Sequence, residues 1–128
     1  MKFNGYHHIG LIVEDAEKSL EFYKKLGGEV VFSFPMSGDT SKTIVLVDLG
    51  QNAVVEIIPR GQKGPQANAR WAHIALATDN VREAHALALA AGAVSQSEPN
   101  DIVLGTKAVC NSFVVGPEGE LIEFFQTK

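Results

Sequence analysis

The chain has very little cysteine and no long apolar run. Cys110 is the single cysteine among 128 residues, so no disulfide can form within the chain. It has no neighbouring base or CxxC pattern, and we expect a packed thiol. No apolar run approaches the length of a membrane span, and residues 1–6 contain no apolar signal segment. The sequence therefore predicts a cytoplasmic protein with no membrane partner.

Basic residues are few and scattered. The chain has 11 Lys and Arg against 15 Asp and Glu, a net charge of −4, and no basic cluster. Because neutralisation of phosphates supplies most nucleic-acid affinity, we expect no nucleic-acid partner. With 45% apolar residues, the chain has enough material for one core, which predicts a single domain.

An internal repeat organises the chain. His8–Val13 (HIGLIV) and His73–Thr78 (HIALAT) align at an offset of 65, and each reads as a short apolar strand that starts with His. A helix start follows each copy. Asp15 is predicted to cap the first helix, and Asn80, with Glu83 three residues later, the second.

Three further strands are predicted in each half, so each half is a βαβββ module. The predicted fold class is α+β, with module one at about residues 5–59 and module two at about 70–127. Pro35–Thr40 is predicted as a turn. The segments Arg60–Arg70 and Glu98–Lys107 are predicted as loops that differ between the halves.

Four residues of metal-ligand type fall at equivalent places in the repeat. His8 and His73 start the first strands, and Glu56 and Glu123 lie in the middle of the last strands. An ionised carboxylate on an apolar strand is costly unless it is paired or binds a metal. Two imidazoles and two carboxylates suit one divalent Ni, Zn, Co, Mn or Fe ion per site. The remaining histidines, His7 and His85, are predicted to have no role in the site.

The chain resembles the vicinal oxygen chelate superfamily. The strings that carry this resemblance are His7–Leu11, Val55–Ile57, Ala72–Ala75 and Gly116–Glu123. That superfamily includes glyoxalase I, methylmalonyl-CoA epimerase, extradiol dioxygenases, and the fosfomycin and bleomycin resistance proteins. The resemblance implies paired βαβββ modules whose mixed sheets curve into a metal-binding cup. It also implies a homodimer, in some members with ligands drawn from two subunits.

Within the superfamily, Glu56 favours glyoxalase I or an epimerase. Dioxygenases and fosfomycin-modifying enzymes use two His and one Glu, and bleomycin-binding members lack the metal set. Resemblance to glyoxalase I implies conversion of a methylglyoxal–thiol hemithioacetal to a 2-hydroxyacyl thioester by proton transfer through a metal-bound enediolate. It assigns Glu123 as the base and Glu56 as its partner on the other face of the carbon.

Two departures leave the substrate open. Glutathione-dependent glyoxalase I has an Arg where this chain has Ile12, and an Asn where it has Arg60. The alternatives are a methylmalonyl-CoA epimerase-like enzyme and a non-catalytic small-molecule-binding or resistance protein. Arg60, Arg70 and Lys107 are candidate contacts for a substrate anion.

Overall fold

The same order of elements is built twice. The computed structural model describes residues 2, 6–59, 71, 73–104 and 106–128. The chain divides into two compact units, Met1–Lys63 (unit 1) and Gly64–Lys128 (unit 2). The boundary falls in the segment Arg60–Arg70. This segment was predicted as a loop, and it lies outside the described residues.

Each unit contains a four-stranded mixed sheet and one helix. In both sheets the first and last strands are parallel neighbours, and the other pairs are antiparallel. This confirms the predicted α+β class with two βαβββ modules. The elements of unit 1, in sheet order β1-β4-β3-β2, are β1 (Ile9–Ile12), α1 (Ala16–Lys25), β2 (Glu29–Met36), β3 (Asp39–Asp48) and β4 (Val54–Ile58). Those of unit 2, in sheet order β5-β8-β7-β6, are β5 (Ile74–Ala77), α2 (Val81–Ala90), β6 (Val94–Leu104), β7 (Lys107–Val115) and β8 (Leu121–Thr127).

The predicted helix caps are confirmed. The Asp15 carboxylate accepts a hydrogen bond from a first-turn backbone N–H of α1 at 3.0 Å. In α2 the Asn80 side chain accepts from the Glu83 N–H at 3.1 Å and also donates to the Glu83 carboxylate at 3.3 Å. Each helix is followed by a glycine with positive φ, Gly27 at 101° and Gly92 at 111°, a conformation in which glycine ends a helix without strain.

Helix packing decides which face of each sheet is buried in its own unit. α1 contacts β3 and β4, and α2 contacts all three long strands of unit 2. Val55 and Ile57 on β4, and Ile122 and Phe124 on β8, are at most 4% exposed. Because strand side chains alternate, the residues between them lie on the opposite face. Glu123 is one of these residues.

Two predicted irregular segments are mostly strand. Glu98–Lys107 was predicted as a loop, but β6 continues to Leu104 and pairs with β7 as far as Lys107. The predicted turn Pro35–Thr40 is shorter in the structure, where only Ser37 and Gly38 lie between β2 and β3. The prolines of these segments, Pro35 on β2 and Pro99 on β6, lie on edge strands, where proline need not cost a ladder hydrogen bond, and a register shift occurs at each.

A small ion cluster supports the extended β6. Lys128 and Arg82 place their side-chain nitrogens 2.8 and 3.2 Å from the Asp101 carboxylate. Hydrogen bonds from Lys128 and then Arg82 hold the pKa of Asp101 below its ordinary value. The cluster links the C-terminus and α2 to β6. Since it is exposed to solvent, its contribution to stability is small.

Among the described residues, neither helix has the length and apolar character needed to cross a membrane.

The Asn80 cap can be tested by mutation. Asn80→Ala should lower the free energy of unfolding by about 1 kcal/mol, because the Glu83 N–H loses its acceptor. Asn80→Ser, which keeps an acceptor oxygen, should lose less, and Asp79→Ala is a neighbouring control outside the cap. Urea unfolding followed by circular dichroism measures all three. Equal midpoints for Asn80→Ala and the wild type would contradict the assigned cap.

Candidate metal centre

In unit 1 the parallel pairing of β1 with β4 brings His8 to Glu56. Gly10 is the register partner of Glu56, and His8 lies two residues before Gly10, just ahead of β1. His8 Nε2 lies 3.7 Å from Glu56 Oε1. A Cβ added at Gly10 would make van der Waals contact with the same oxygen at 3.8 Å, so the glycine leaves room for only about one methyl group beside the carboxylate.

Unit 2 repeats this arrangement with shorter distances. Ala75 is the register partner of Glu123, as Gly10 is of Glu56. His73 Nε2 lies 3.1 Å from Glu123 Oε2. The Glu123 side chain is 10% exposed and the Glu56 side chain 17%, so both carboxylates are largely removed from water. The structure thus places each of the two predicted histidine ligands beside the predicted glutamate ligand of its own unit.

The donor atoms fit a divalent cation. Metal–nitrogen and metal–oxygen bonds of about 2.0–2.2 Å place neighbouring ligand atoms of one ion roughly 2.9–3.5 Å apart. The pair in unit 2 lies in this range, and the pair in unit 1 is slightly wider. Among the described residues no three His, Cys, Asp or Glu side chains are grouped closely enough to hold an ion. Each pair by itself would therefore offer only two ligands, whereas a protein site for these ions usually has three or four.

The surroundings of the two carboxylates differ. Asn111 on β7 donates a hydrogen bond from Nδ2 to Glu123 Oε1 at 3.0 Å. The ring of Phe113, the register partner of Glu123, meets the His73 ring edge-on at a centroid distance of 5.5 Å. In unit 1 the corresponding positions on β3 hold Ile44 and Leu46, neither of which can donate a side-chain hydrogen bond.

His7 contacts the site, although the sequence analysis gave it no role. Its Nδ1 lies 2.9 Å from Nδ1 of His8. A histidine that binds a metal through Nε2 carries its proton on Nδ1, which would then donate to His7. The adjacent histidine pair was the available signal. Side-chain alternation predicted opposite faces for His7 and His8, but both residues precede β1, where the strand pleat does not fix their directions.

A family model matches most of the chain. Residues 5–124 match the Glyoxalase/Bleomycin resistance protein/Dioxygenase superfamily. The chain belongs to this superfamily. The resemblance seen in the sequence is therefore confirmed. A search of curated proteins finds no match.

Solved structures of similar fold cover almost the whole chain. A hypothetical protein SA1046 from S. aureus shares 22% identity over 98% of this chain and 99% of its own, with a TM-score of 0.65. TioX from Micromonospora sp. ML1 shares 20% identity over 97% and 100%, with a TM-score of 0.71. Glyoxalase I from Zea mays shares 19% identity over 94% of this chain but 43% of its own length, with a TM-score of 0.73. At these identities the likeness shows the fold.

Of the three residues predicted to contact a substrate anion, only Lys107 lies among the described residues. Lys107 is exposed and opens β7, six residues before Phe113. At about 3.4 Å per residue it lies roughly 20 Å along the strand from the position that pairs with Glu123. Lys107 can therefore reach only the far end of an extended substrate. Arg60 and Arg70 lie outside the described residues.

His85 and Cys110 lie in the interior of unit 2. His85 is 3% exposed, and its Nε2 lies 3.0 Å from the Ser95 hydroxyl, which donates to Glu98. The imidazole therefore links α2 to β6, a contact between distant residues that helical periodicity does not reveal. Cys110 is fully buried, as expected of a packed thiol.

The ligand role of His73 can be tested by metal loading. His73→Ala should weaken Zn²⁺, Ni²⁺ or Co²⁺ binding by more than the roughly 10- to 100-fold that loss of an outer-shell partner costs, because a ligand itself is lost. Asp79→Ala, an exposed change in the same unit, is the control. Titration calorimetry on chelator-treated protein measures the affinities. Wild-type affinity in His73→Ala would remove His73 from the ligand set.

Proposed function

We propose that the protein is a metal-dependent glyoxalase I-type enzyme that acts on a methylglyoxal–thiol hemithioacetal. The observation that carries this proposal is the repeated pair of an imidazole and a shielded carboxylate, His8–Glu56 and His73–Glu123. The retention of Glu56 favours this chemistry over superfamily members that use two His and one Glu. The product would be a 2-hydroxyacyl thioester, which in a methylglyoxal detoxification route is released for hydrolysis.

The metal would be held by His8, Glu56, His73 and Glu123, as one divalent Ni, Zn, Co, Mn or Fe ion per set. When bound, such an ion supplies positive charge that stabilises negative charge developing on substrate oxygens. The four side chains provide the neutral imidazole nitrogens and anionic oxygens that these ions prefer. The set would be drawn from one subunit or from two.

The reaction itself is an isomerisation, and the carboxylates of the chain can transfer the proton that it requires. A base removes the proton from the carbon that bears the hydroxyl and the sulfur, and the proton is returned to the neighbouring carbonyl carbon. The hydroxyl proton moves between the two oxygens, so no oxidant or reductant is needed. Glu56 and Glu123 are the candidate bases, and the family resemblance favours Glu123 with Glu56 as its partner. Leu46 and Phe113 are the cross-strand register partners of Glu56 and Glu123.

A methylmalonyl-CoA epimerase-like activity is the second candidate. It uses the same chemistry, removal of a proton next to a thioester carbonyl and its return on the opposite face, for which two carboxylates are suited. The stretch Val47–Glu56, which resembles epimerases, favours it. A non-catalytic binding or resistance protein is the third reading. Arg60 and Arg70 remain proposed contacts for the anionic end of the substrate.

Solvent-deuterium exchange separates these functions. Metal-loaded wild type should isomerise the methylglyoxal hemithioacetal of at least one thiol, and deuterium should enter next to the carbonyl. One of the single variants Glu56→Gln and Glu123→Gln should lose about 10²- to 10⁴-fold in rate while it still binds metal, because Gln keeps the shape but cannot accept the proton. Exchange only with a 2-methyl thioester would favour the epimerase. Tight binding without exchange would favour a binding protein.

The protein is also proposed to be a homodimer. Among the residues that the structure describes, two strands of each sheet pair on one side only, β1 and β2 in unit 1 and β5 and β6 in unit 2. Unpaired edges are open to another chain, and β2 exposes Val30, Val31 and Phe32.

Sedimentation velocity tests the assembly. We expect a dimer of about twice the 13.8 kDa chain mass. Phe32→Lys should shift the protein toward monomer if the β2 edge lies in the interface, because burial of a charge there is costly. A wild-type monomer with full metal occupancy and activity would contradict the proposed dimer.

A further inference from the structure

The two His–Glu pairs occupy equivalent strand positions, but only one carboxylate is held by a neighbouring side chain. Glu123 Oε1 accepts a hydrogen bond from Asn111, which leaves Oε2 facing His73. Within the described residues Glu56 has one polar side-chain contact, His8 at 3.7 Å. The difference arises at one equivalent position, Asn111 on β7 and Ile44 on β3.

Packing strengthens this difference. In unit 1, Gly10 stands opposite Glu56, and a Cβ added there would contact Glu56 Oε1 at 3.8 Å, so the glycine leaves room for about one methyl group. In unit 2 the equivalent residue is Ala75, and the Glu123 side chain is the less exposed of the two. Glu123 is therefore restrained by an amide and faces an alanine methyl, whereas Glu56 faces a glycine and is slightly more exposed.

The proposed reaction needs one carboxylate as a metal ligand and one as a base, and these two roles require different surroundings. A metal ligand is strengthened by an outer-shell donor that fixes its orientation. A base must instead keep an oxygen free to approach the substrate carbon and accept its proton. A carboxylate with one oxygen committed to an amide donor suits the first role. A carboxylate without an amide donor suits the second.

We infer that Asn111 is a positioning residue that holds Glu123 as a fixed ligand, so that Glu56 is the carboxylate that accepts the substrate proton. This inference rests on the proposed function for the proton-transfer role, and it reverses the order of the two glutamates that the family resemblance favours. The Asn111 amide acts only through Glu123 and need not touch the substrate.

Cobalt binding tests the positioning role without turnover. Asn111→Leu removes the donor at similar volume, and Ile44→Leu is the matched control at the equivalent position in unit 1. Asn111→Leu should weaken Co²⁺ binding by about 10- to 100-fold and alter the visible Co²⁺ absorption spectrum. Ile44→Leu should leave both unchanged. Asn111→Gln, which keeps an amide donor, should bind Co²⁺ more tightly than Asn111→Leu.

Wild-type affinity and spectrum in Asn111→Leu would overturn the positioning role, as would equal losses in Asn111→Leu and Ile44→Leu. Thermal unfolding of the metal-free variants shows whether each is folded before titration. If Asn111→Leu misfolds, Asn111→Ala decides, because it also lacks the donor and should show the same loss of affinity and change of spectrum. Wild-type affinity and spectrum in Asn111→Ala would overturn the inference.

Deuterium exchange at saturating Co²⁺ tests the division of roles. Glu56→Gln should lose about 10²- to 10⁴-fold in exchange rate, with a smaller loss of Co²⁺ affinity than Glu123→Gln shows. The opposite pattern, with exchange lost in Glu123→Gln and retained in Glu56→Gln, would overturn the assignment of Glu56. If wild type binds Co²⁺ but exchanges deuterium into no substrate, the proposed function fails, and with it the base role of Glu56. The cobalt experiment still decides whether Asn111 positions Glu123.

Discussion

Parallel pairing between the first and last strands of each unit is the constraint on which the candidate site depends. The pairs Gly10–Glu56 and Ala75–Glu123 define the register, and each histidine lies two residues before the small residue of its pair. A slip by one residue would turn each glutamate toward the helix and each buried apolar neighbour toward the histidine. The register is maintained because Val55 and Ile57, like their counterparts in unit 2, are buried beneath a helix. Hydrophobic packing on one face thus positions the polar groups on the other.

The repeat preserves this framework but not the environment of its functional groups. Both glutamates lie on the face that the helix does not cover, where a substitution does not disturb the core. Asn111 replaces the aliphatic Ile44 at such a position, and the two carboxylates thereby acquire different partners. Duplication can therefore supply two similar ligand pairs, after which a single amide is enough to make them chemically distinct.

The relation to other superfamily members follows the same physical logic. The fold is retained at about 20% identity, since apolar alternation, helix caps and strand register can be met by many sequences. Function depends on the small set of side chains placed on that framework. The chain spans less than half of the Zea mays glyoxalase I, so their likeness describes a shared structural unit.

The sequence by itself determined the βαβββ repeat, both helix caps and the four ligand-type residues, because each depends on local spacing or on an offset between the two halves. Parity along β1 and β4 was sufficient to predict that His8 and Glu56 share a face. Only the tertiary structure revealed the Asn111–Glu123 hydrogen bond, the contact of His7 with His8 and the burial of His85. The length of β6 also escaped prediction, since its polar, proline-containing stretch is extended by pairing with β7. These features depend on contacts between strands or between a helix and a strand, and no periodicity within a single segment encodes which side chains such contacts bring together.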